Sequence, residues 1–329
     1  MELLDKFNQV EIKPESRIDA ADKRWCDTYH TAYDKAVAAL IAMQGYAAAF
    51  TQEQHDIFAQ TLTGDDLKYQ DNHYIKDGFD AAKYQDRIES IHKSFINDLV
   101  SHFAGKYQVT LDGTEIVEQL VPAKPEEPSI DFYLYGSPRQ WSDDVREKVH
   151  TQRAAYEAEM ENYHNSLREL RVSVSDVLDR IFMQLGGVSF EDKAIREIKD
   201  ACHKASWYDY NGKPRFDQKK SVVAFTGHGC SIDYIHEKHK SPSDPSEFKL
   251  SDEMKTVLKA VSHFETGLTD YTPPAITHLL GWHINDVDHE LGGKKIRSVK
   301  LFKNGRVDMR FTSEAYAREF VEQYMGTAA

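Results

Sequence analysis

The chain has 329 residues, a formal net charge of −13, an apolar content of 40% and an aromatic content of 11%. This composition is that of a folded protein with a sizeable core, so it excludes wholesale disorder, and the length favours two lobes. A net charge of this sign excludes attraction of nucleic acid to the protein as a whole, because a polyanion is then bound only at a local positive patch.

The first third of the sequence has the apolar spacing of helices, and a strand-like pattern follows. The predicted helices cover residues 15–50, 51–62 and 81–103. Residues 107–121 predict two strands joined by a turn at 111–114. The segment VPAKPEEP, residues 121–128, then contains three prolines and predicts an extended connector. We therefore expect a helical N-terminal lobe with a small hairpin over residues 1–122.

The second lobe, expected over residues 129–329, combines helices with a few strands. After a strand at 130–135, Ser142 caps a long charged helix that continues toward Glu169, and Gly186-Gly187 ends the helical stretch that follows. The remaining predicted elements are helices over 192–205, 251–264 and 313–325 and a strand over 221–226. The predicted fold class is α+β, mostly helical, with a small antiparallel sheet, a terminal β-hairpin and a final helix.

The terminal hairpin is predicted from residues 297–311, RSVKLFKNGRVDMRF. A three-residue loop, Lys303-Asn304-Gly305 with Gly305 left-handed, separates apolar from charged side chains, whereas a two-residue Asn-Gly turn mixes them. The predicted buried face carries Val299, Leu301, Val307, Met309 and Phe311. The predicted outer face carries Lys300, Phe302, Arg306 and Arg310, with Lys300 opposite Asp308.

This hairpin also holds the local positive patch that the acidic composition requires for nucleic-acid binding. Seven Lys or Arg stand between residues 294 and 310, against Asp308 alone. One interpretation is structural, because charged residues protect an exposed strand edge from pairing. The other is a non-catalytic surface, without a cofactor, for nucleic acid or for an enzyme that acts on it, where cations contact phosphates and the aromatic ring stacks on a base. Its predicted residues are Lys300, Phe302, Lys303, Arg306 and Arg310.

Two clusters of metal-ligand residue types leave a metal-dependent enzyme, acting on nucleotides or phosphodiesters, as an alternative. The first consists of His228, Cys230, His236 and His239, whose types suit zinc although the spacing differs from that of paired cysteine knuckles. The second consists of His278, His283, Asp286, Asp288 and His289. A further alternative is an acidic interaction module that binds a basic partner protein through its N-terminal helices.

The cysteines and the apolar runs indicate where the protein functions. Cys26, Cys202 and Cys230 are widely spaced and odd in number, and MELLDKFNQV has acidic residues where a signal peptide is basic and apolar. The most apolar helical run, residues 36–50, is too short and too weakly hydrophobic to span a bilayer. We therefore expect a cytoplasmic protein without a membrane partner.

Three motifs follow one another from about Pro214 to Phe311. They are PRFDQKKSVVAFTG at 214–227, a helix around 254–264 and VKLFKNGRVDMRF at 299–311. In their order and spacing they resemble a bacterial and phage family catalogued as domain of unknown function 4942. Family members occur on mobile elements, and some carry a methyltransferase-like domain, so the resemblance implies a nucleic-acid-associated accessory protein. This chain lacks the N-P-P-F or D-P-P-Y motif of such a domain and has Asp308 where members tend to have His.

Overall fold

The computed structural model describes residues 17–67, 81–128, 141–207, 213–226, 228–232, 238–239, 241, 247–281, 284–285 and 288–326. The chain forms two compact units, Met1–His102 with Leu111–Gly187 and Phe103–Thr110 with Val188–Ala329. This division differs from the predicted lobes, 1–122 and 129–329, because the proline-rich connector and the long charged helix both belong to the first unit. The predicted strand at 130–135 lies outside the described residues.

Helices build the described part of the first unit. They are α1 (Ala20–Ala59), α2 (Ala81–Tyr107, ending in the second unit), α3 (Gly113–Leu120), α4 (Asp143–Glu169) and α5 (Val174–Gln184). The segments predicted as separate helices, 15–50 and 51–62, form one continuous helix, since no proline lies at their junction and Gly45 is tolerated within the helix. Asp19 caps α1 by accepting hydrogen bonds from the amides of Ala21 and Asp22.

A buried polar cluster joins α1, α2 and the end of α4. The Tyr33 hydroxyl lies 2.7 Å from His92 Nδ1, and His92 Nε2 donates to the Leu167 carbonyl oxygen at 2.9 Å. The same hydroxyl accepts a hydrogen bond from the Val172 amide at 3.3 Å, and its ring stacks on Phe95. Both ring nitrogens of His92 therefore have partners, as a fully buried imidazole requires.

The predicted hairpin within 107–121 is wrong, because α3 occupies most of that stretch. Asp112 begins the helix by accepting a hydrogen bond from the Glu115 amide at 3.1 Å. Gln184 of α5 accepts from the Asp112 amide and donates to its carbonyl oxygen, and Ile116 is fully buried. Over eight residues the periods of a strand and of a helix are hard to distinguish, so the β-branched residues misled the prediction.

The second unit combines helices with two antiparallel sheets. Its helices are α6 (Phe190–Ala205), α7 (Asp252–Thr266), α8 (Pro274–Leu279) and α9 (Glu314–Phe320), and a π-helical turn (Val321–Met325) continues α9. Its strands are β1 (Phe216–Lys219), β2 (Val222–Phe225), β3 (Cys230–Ile232), β4 (Glu247–Leu250), β5 (Ile284–Asn285), β6 (Asp288–Glu290), β7 (Ile296–Leu301) and β8 (Val307–Phe311). The larger sheet has the order β1-β2-β8-β7-β6, and the smaller one β3-β4-β5.

One face of the larger sheet forms the core of this unit together with the helices. Val223 of β2 and Val299 of β7 are fully buried in the same cluster as Leu258 of α7 and Phe320 of α9. The fold class is therefore the predicted one, α+β and mostly helical. In the described ranges, the helices all lack the combination of length and apolar content that crossing a bilayer requires.

Candidate functional site

The loop of the β7–β8 hairpin has the predicted three-residue form. The Phe302 amide donates to the Arg306 carbonyl oxygen, the Gly305 amide donates to the Phe302 carbonyl oxygen, and Gly305 has φ +83°. A Cβ at this glycine would lie 3.0 Å from the His228 amide nitrogen, so a side chain is excluded sterically as well as conformationally. The Gly305 carbonyl oxygen in turn accepts from the amides of Gly229 and Cys230, which brace the loop from behind.

The two faces of the hairpin are those that the sequence predicts. Lys300 pairs with Asp308 and Leu301 with Val307 in the strand register. All predicted members of the inner face are at most 2% exposed, namely Val299, Leu301, Val307, Met309 and Phe311. The register therefore places the five predicted binding residues on the outer side or in the loop.

The hairpin is not an edge of the sheet. Strand β8 also pairs with β2, with Val222 opposite Arg310, and β7 also pairs with β6, with Asp288 opposite Lys300. The structural interpretation of the cations as protection of a free edge is therefore wrong, because both of their strands have partners on either side.

The outer end of the hairpin presents an aromatic ring flanked by cations. The Phe302 ring is partly buried, with Arg306 Cζ 4.1 Å and Lys300 Nζ 5.5 Å from its centroid. Both distances are within the range of cation–π attraction, which holds the two cations over the ring. Lys303 extends from the loop and is exposed.

Both arginines of the predicted site are paired with carboxylates. Arg306 Nη2 donates to Asp308 Oδ2 at 3.2 Å, and its Nε lies 2.9 Å from Oδ1 in a geometry too bent for a hydrogen bond. Arg310 Nη1 donates to Asp288 Oδ2 at 2.5 Å. The outer face therefore alternates positive and negative charge, and the expected row of free cations is reduced to Lys300 and Lys303.

The first metal-ligand cluster does not assemble among the described residues. Cys230 Sγ lies 3.5 Å from the Phe302 carbonyl oxygen and 3.8 Å from that of Arg306, and burial raises the pKa of its thiol. The thiol therefore contacts main-chain oxygens of the hairpin loop, and it is not part of a group of three potential ligands among the described residues. His236 lies outside the described residues, and no group of three potential ligands forms within the rest, which includes His228 and His239.

The second cluster is partly outside the described residues, which include neither His283 nor Asp286. Of the others, Asp288 is the partner of Arg310, and the rings of His278 and His289 lie 6.4 Å apart between centroids. The described members therefore do not converge on a point where a cation could be held.

One polar site in the second unit was not predicted. His263 Nδ1 on α7 lies 2.7 Å from the Tyr324 hydroxyl in the π-helical turn, and His263 lines a cavity. The two residues are 61 positions apart, so no spacing rule links them. The only signal in the sequence is a histidine within the apolar pattern of a helix, which usually means a buried and satisfied imidazole.

No protein-family model matches the chain, and neither a curated protein nor a solved structure is similar to it at the level that indicates common ancestry. The resemblance to the family of domain of unknown function 4942 therefore stays a prediction based on the three motifs.

Proposed function

We propose that the protein is a non-catalytic accessory protein that binds nucleic acid through the hairpin tip, defined as Lys300, Phe302, Lys303 and Arg306. In this proposal the three cations contact phosphates and the Phe302 ring stacks on a base. Base faces are accessible mainly in unpaired strands, so the proposed ligand is single-stranded.

The observation that carries this proposal is the partly exposed Phe302 ring, with Arg306 over it at 4.1 Å and Lys300 at 5.5 Å from its centroid. Arg306 occupies the stacking position on one face of the ring, so in this proposal the base stacks on the guanidinium plane or on the opposite face of the ring, with its backbone phosphates close to both cations. The loop below is braced by the hydrogen bonds from Gly229 and Cys230, so little conformational entropy is lost on binding.

The charges at the hairpin tip determine how strong the binding can be. Lys300 and Lys303 have no carboxylate partner within the described part of the chain, whereas Arg306 is paired with Asp308. The Asp308 carboxylate is buried, and separating it from Arg306 would leave that charge without its partner, so Arg306 keeps its carboxylate and contacts a phosphate only through the guanidinium nitrogens that the pair leaves free. The net charge of −13 opposes any polyanion, and we therefore expect moderate affinity that falls steeply with salt.

The cellular setting belongs to the same proposal. The three cysteines are buried and form no disulfide, which supports the reducing, cytoplasmic compartment expected from the sequence. A mobile-element or phage setting rests on the family resemblance alone, and the experiment below does not depend on it.

The proposal is tested by fluorescence anisotropy with a labelled oligothymidylate of about 20 nucleotides, a length that covers the usual site sizes. The double variant Lys300→Glu with Lys303→Glu should lose at least about 10-fold in affinity at low salt. The salt slope, which is the steepness with which the logarithm of the binding constant falls with the logarithm of the salt concentration, should decrease by about 1.4, or about 0.7 per lost phosphate contact. The matched control is Lys219→Glu with Lys220→Glu, which makes the same charge change at the β1–β2 turn, at the other end of the sheet.

A separate variant, Phe302→Leu, tests the stacking. It should weaken binding by about 5- to 10-fold without changing the salt slope, because it removes the ring and leaves the charges in place. Failure of the wild-type protein to bind at low salt, or an equal loss in the control variant, would remove the hairpin tip as a nucleic-acid site.

A further inference from the structure

A cavity of about 460 Å³ opens in the second unit and shares no lining residue with the hairpin tip. Its walls come from α6, from α7, from residues 268–272 and from residues 108 and 110. The volume lies within the range of small-molecule sites. Many of the lining residues carry hydroxyl groups, namely Thr110, Thr256, Ser262, Thr269, Tyr271 and Thr272.

The His263–Tyr324 pair at this cavity is neutral. Burial, then the positive charges of Lys199 and Lys295, lower the pKa of His263 against a smaller opposing effect of Glu191. Burial raises the pKa of Tyr324 to about 12. The hydroxyl of Tyr324 has no other hydrogen-bond acceptor among the described residues, so we assign it as the donor to His263 Nδ1. The imidazole proton then resides on Nε2.

That Nε2–H group is available to a ligand. His263 is only 8% exposed, yet its Nε2 has no hydrogen-bond partner in the described ranges and is still reached by solvent. The residue lines the cavity, and its Nε2–H is the ring group left for a ligand there, because Nδ1 is occupied by Tyr324. A buried donor of this kind favours a ligand oxygen that accepts a hydrogen bond.

A cation on the same helix face as His263 provides a contact for an anionic ligand. Lys259 lies four residues before His263, so both are on one face of α7, and both line the cavity. The carboxylate of Glu197 is already engaged, by the Thr110 amide at 2.8 Å and by Lys193 at 3.4 Å. The other acidic lining residue, Asp270, is exposed, as Lys259 is, so an anion is favoured at Lys259 and His263 and not by the lining as a whole.

We infer that this cavity binds a small organic anion whose carboxylate or phosphate oxygen accepts a hydrogen bond from His263 Nε2 and pairs with the Lys259 ammonium group. The lining hydroxyl groups suit the remaining polar atoms of such a ligand. This site is independent of the proposed nucleic-acid interface, and either can exist without the other.

The test is a titration of histidine-labelled protein, observed through the ¹⁵N and ¹H resonances of the imidazoles. The probes are inorganic phosphate and succinate, which distinguish a phosphate site from a carboxylate site, and succinamide is the uncharged control. At probe concentrations up to about 50 mM, a saturable shift of the His263 Nε2 resonance is expected with at least one oxyanion and not with succinamide. His92 is the internal control, because both its nitrogens are occupied.

Two variants on the surface of α7 test the role of Lys259 without disturbing the core. Lys259→Gln should weaken the binding of the active probe by about 10-fold, since a charge-assisted contact is lost. Lys255→Gln, on the same helix but outside the cavity, should leave it unchanged. The inference is overturned by no saturable His263 shift with either oxyanion, by an equal response to succinamide, or by unchanged affinity in Lys259→Gln.

Discussion

Each unit contains a histidine hydrogen-bonded to a tyrosine at 2.7 Å, and the two pairs differ in what the rest of the imidazole does. In the first unit, His92 Nε2 donates to the Leu167 carbonyl oxygen and the Tyr33 hydroxyl also accepts from the Val172 amide. In the second unit, His263 Nε2 has no partner among the described residues, and the residue lines a cavity.

The comparison shows that a histidine–tyrosine pair can be complete, with a partner for every ring nitrogen, or open, with one ring nitrogen left without a partner. The pair in the first unit satisfies every ring nitrogen and joins helices that are distant in sequence, so its role is structural. The pair in the second unit leaves one donor unsatisfied in a space large enough for a small molecule. An incomplete hydrogen-bond network at a cavity is a better indication of a binding site than the residue types themselves.

The largest expected effect comes from replacing each histidine with leucine. His92→Leu should lower the free energy of unfolding by about 3 kcal/mol, because the Leu167 carbonyl oxygen and the Tyr33 hydroxyl both lose a buried partner. His263→Leu should cost about 1 kcal/mol, since only the Tyr324 hydroxyl loses one. Urea unfolding of both variants measures the difference, and equal losses would contradict the comparison.

Removing the tyrosine hydroxyls should give a smaller difference in the same direction. Tyr33→Phe removes two hydrogen bonds and should cost about 2 kcal/mol, whereas Tyr324→Phe removes one and should cost about 1 kcal/mol. Both substitutions keep the stacked ring, so thermal unfolding reports the hydrogen bonds. A larger loss for Tyr324→Phe would show that the second pair is the structural one.

The pH dependence of stability should reveal both imidazoles. Burial lowers the pKa of His92, with Arg171 adding to the effect, and burial also lowers the pKa of His263. The unfolded chain therefore binds protons that the folded chain does not, so stability is complete above about pH 6.5 and declines as the pH falls below that value.

This decline is at most about 1.4 kcal/mol per pH unit for each imidazole. It should become shallower in both His92→Leu and His263→Leu, as measured by urea unfolding at pH 7 and pH 5.5. An unchanged slope in both variants would show that these rings are not responsible. Carboxylates such as Glu89, whose pKa is lowered, contribute only at more acidic pH.

The smallest effect is expected at the hairpin, which carries arginines paired with carboxylates and lysines that have no carboxylate partner among the described residues. Asp288→Asn removes the carboxylate that pairs with Arg310, and it should change the free energy of unfolding by less than about 1 kcal/mol. It should strengthen oligothymidylate binding about 2- to 5-fold, because a cation is released and an anion is lost.

Asp217→Asn is the matched control for this prediction, because it removes the same charge from the pair that Asp217 forms with Lys219 on β1. Equal gains in both variants would attribute the change to net charge alone. A gain limited to Asp288→Asn would show that Arg310 can join the hairpin tip in binding.

The hairpin register could be predicted from the sequence because its determinants are local. Alternation of apolar residues and the requirement for a left-handed Gly305 together select one pairing, and the structure has that pairing. The helix at 113–120 could not be predicted in the same way. Its Asp112 cap is local, but the hydrogen bonds that Asp112 makes with Gln184, 72 residues away in sequence, are not.

The sequence predicted on which face of the hairpin the side chains of the candidate site lie, but it did not predict which of its cations are paired with carboxylates. The sequence places Arg306 and Arg310 on the outer face, and both lie there, partly exposed. Their carboxylate partners depend on strand order, since Asp288 lies 22 residues from Arg310 and reaches it across β7. A count of cations along the chain therefore overstated the positive charge of this surface.

The amino-acid sequence by itself determined the fold class, the helices of the second unit and the two faces of the hairpin, because helix caps, periodicity and turn chemistry act over a few residues. Only the tertiary structure decided which polar groups were left without partners. Hydrogen bonds between residues 59 or 61 positions apart, such as those of His92 and His263, depend on how the helices pack, and packing separates the complete pair from the open one.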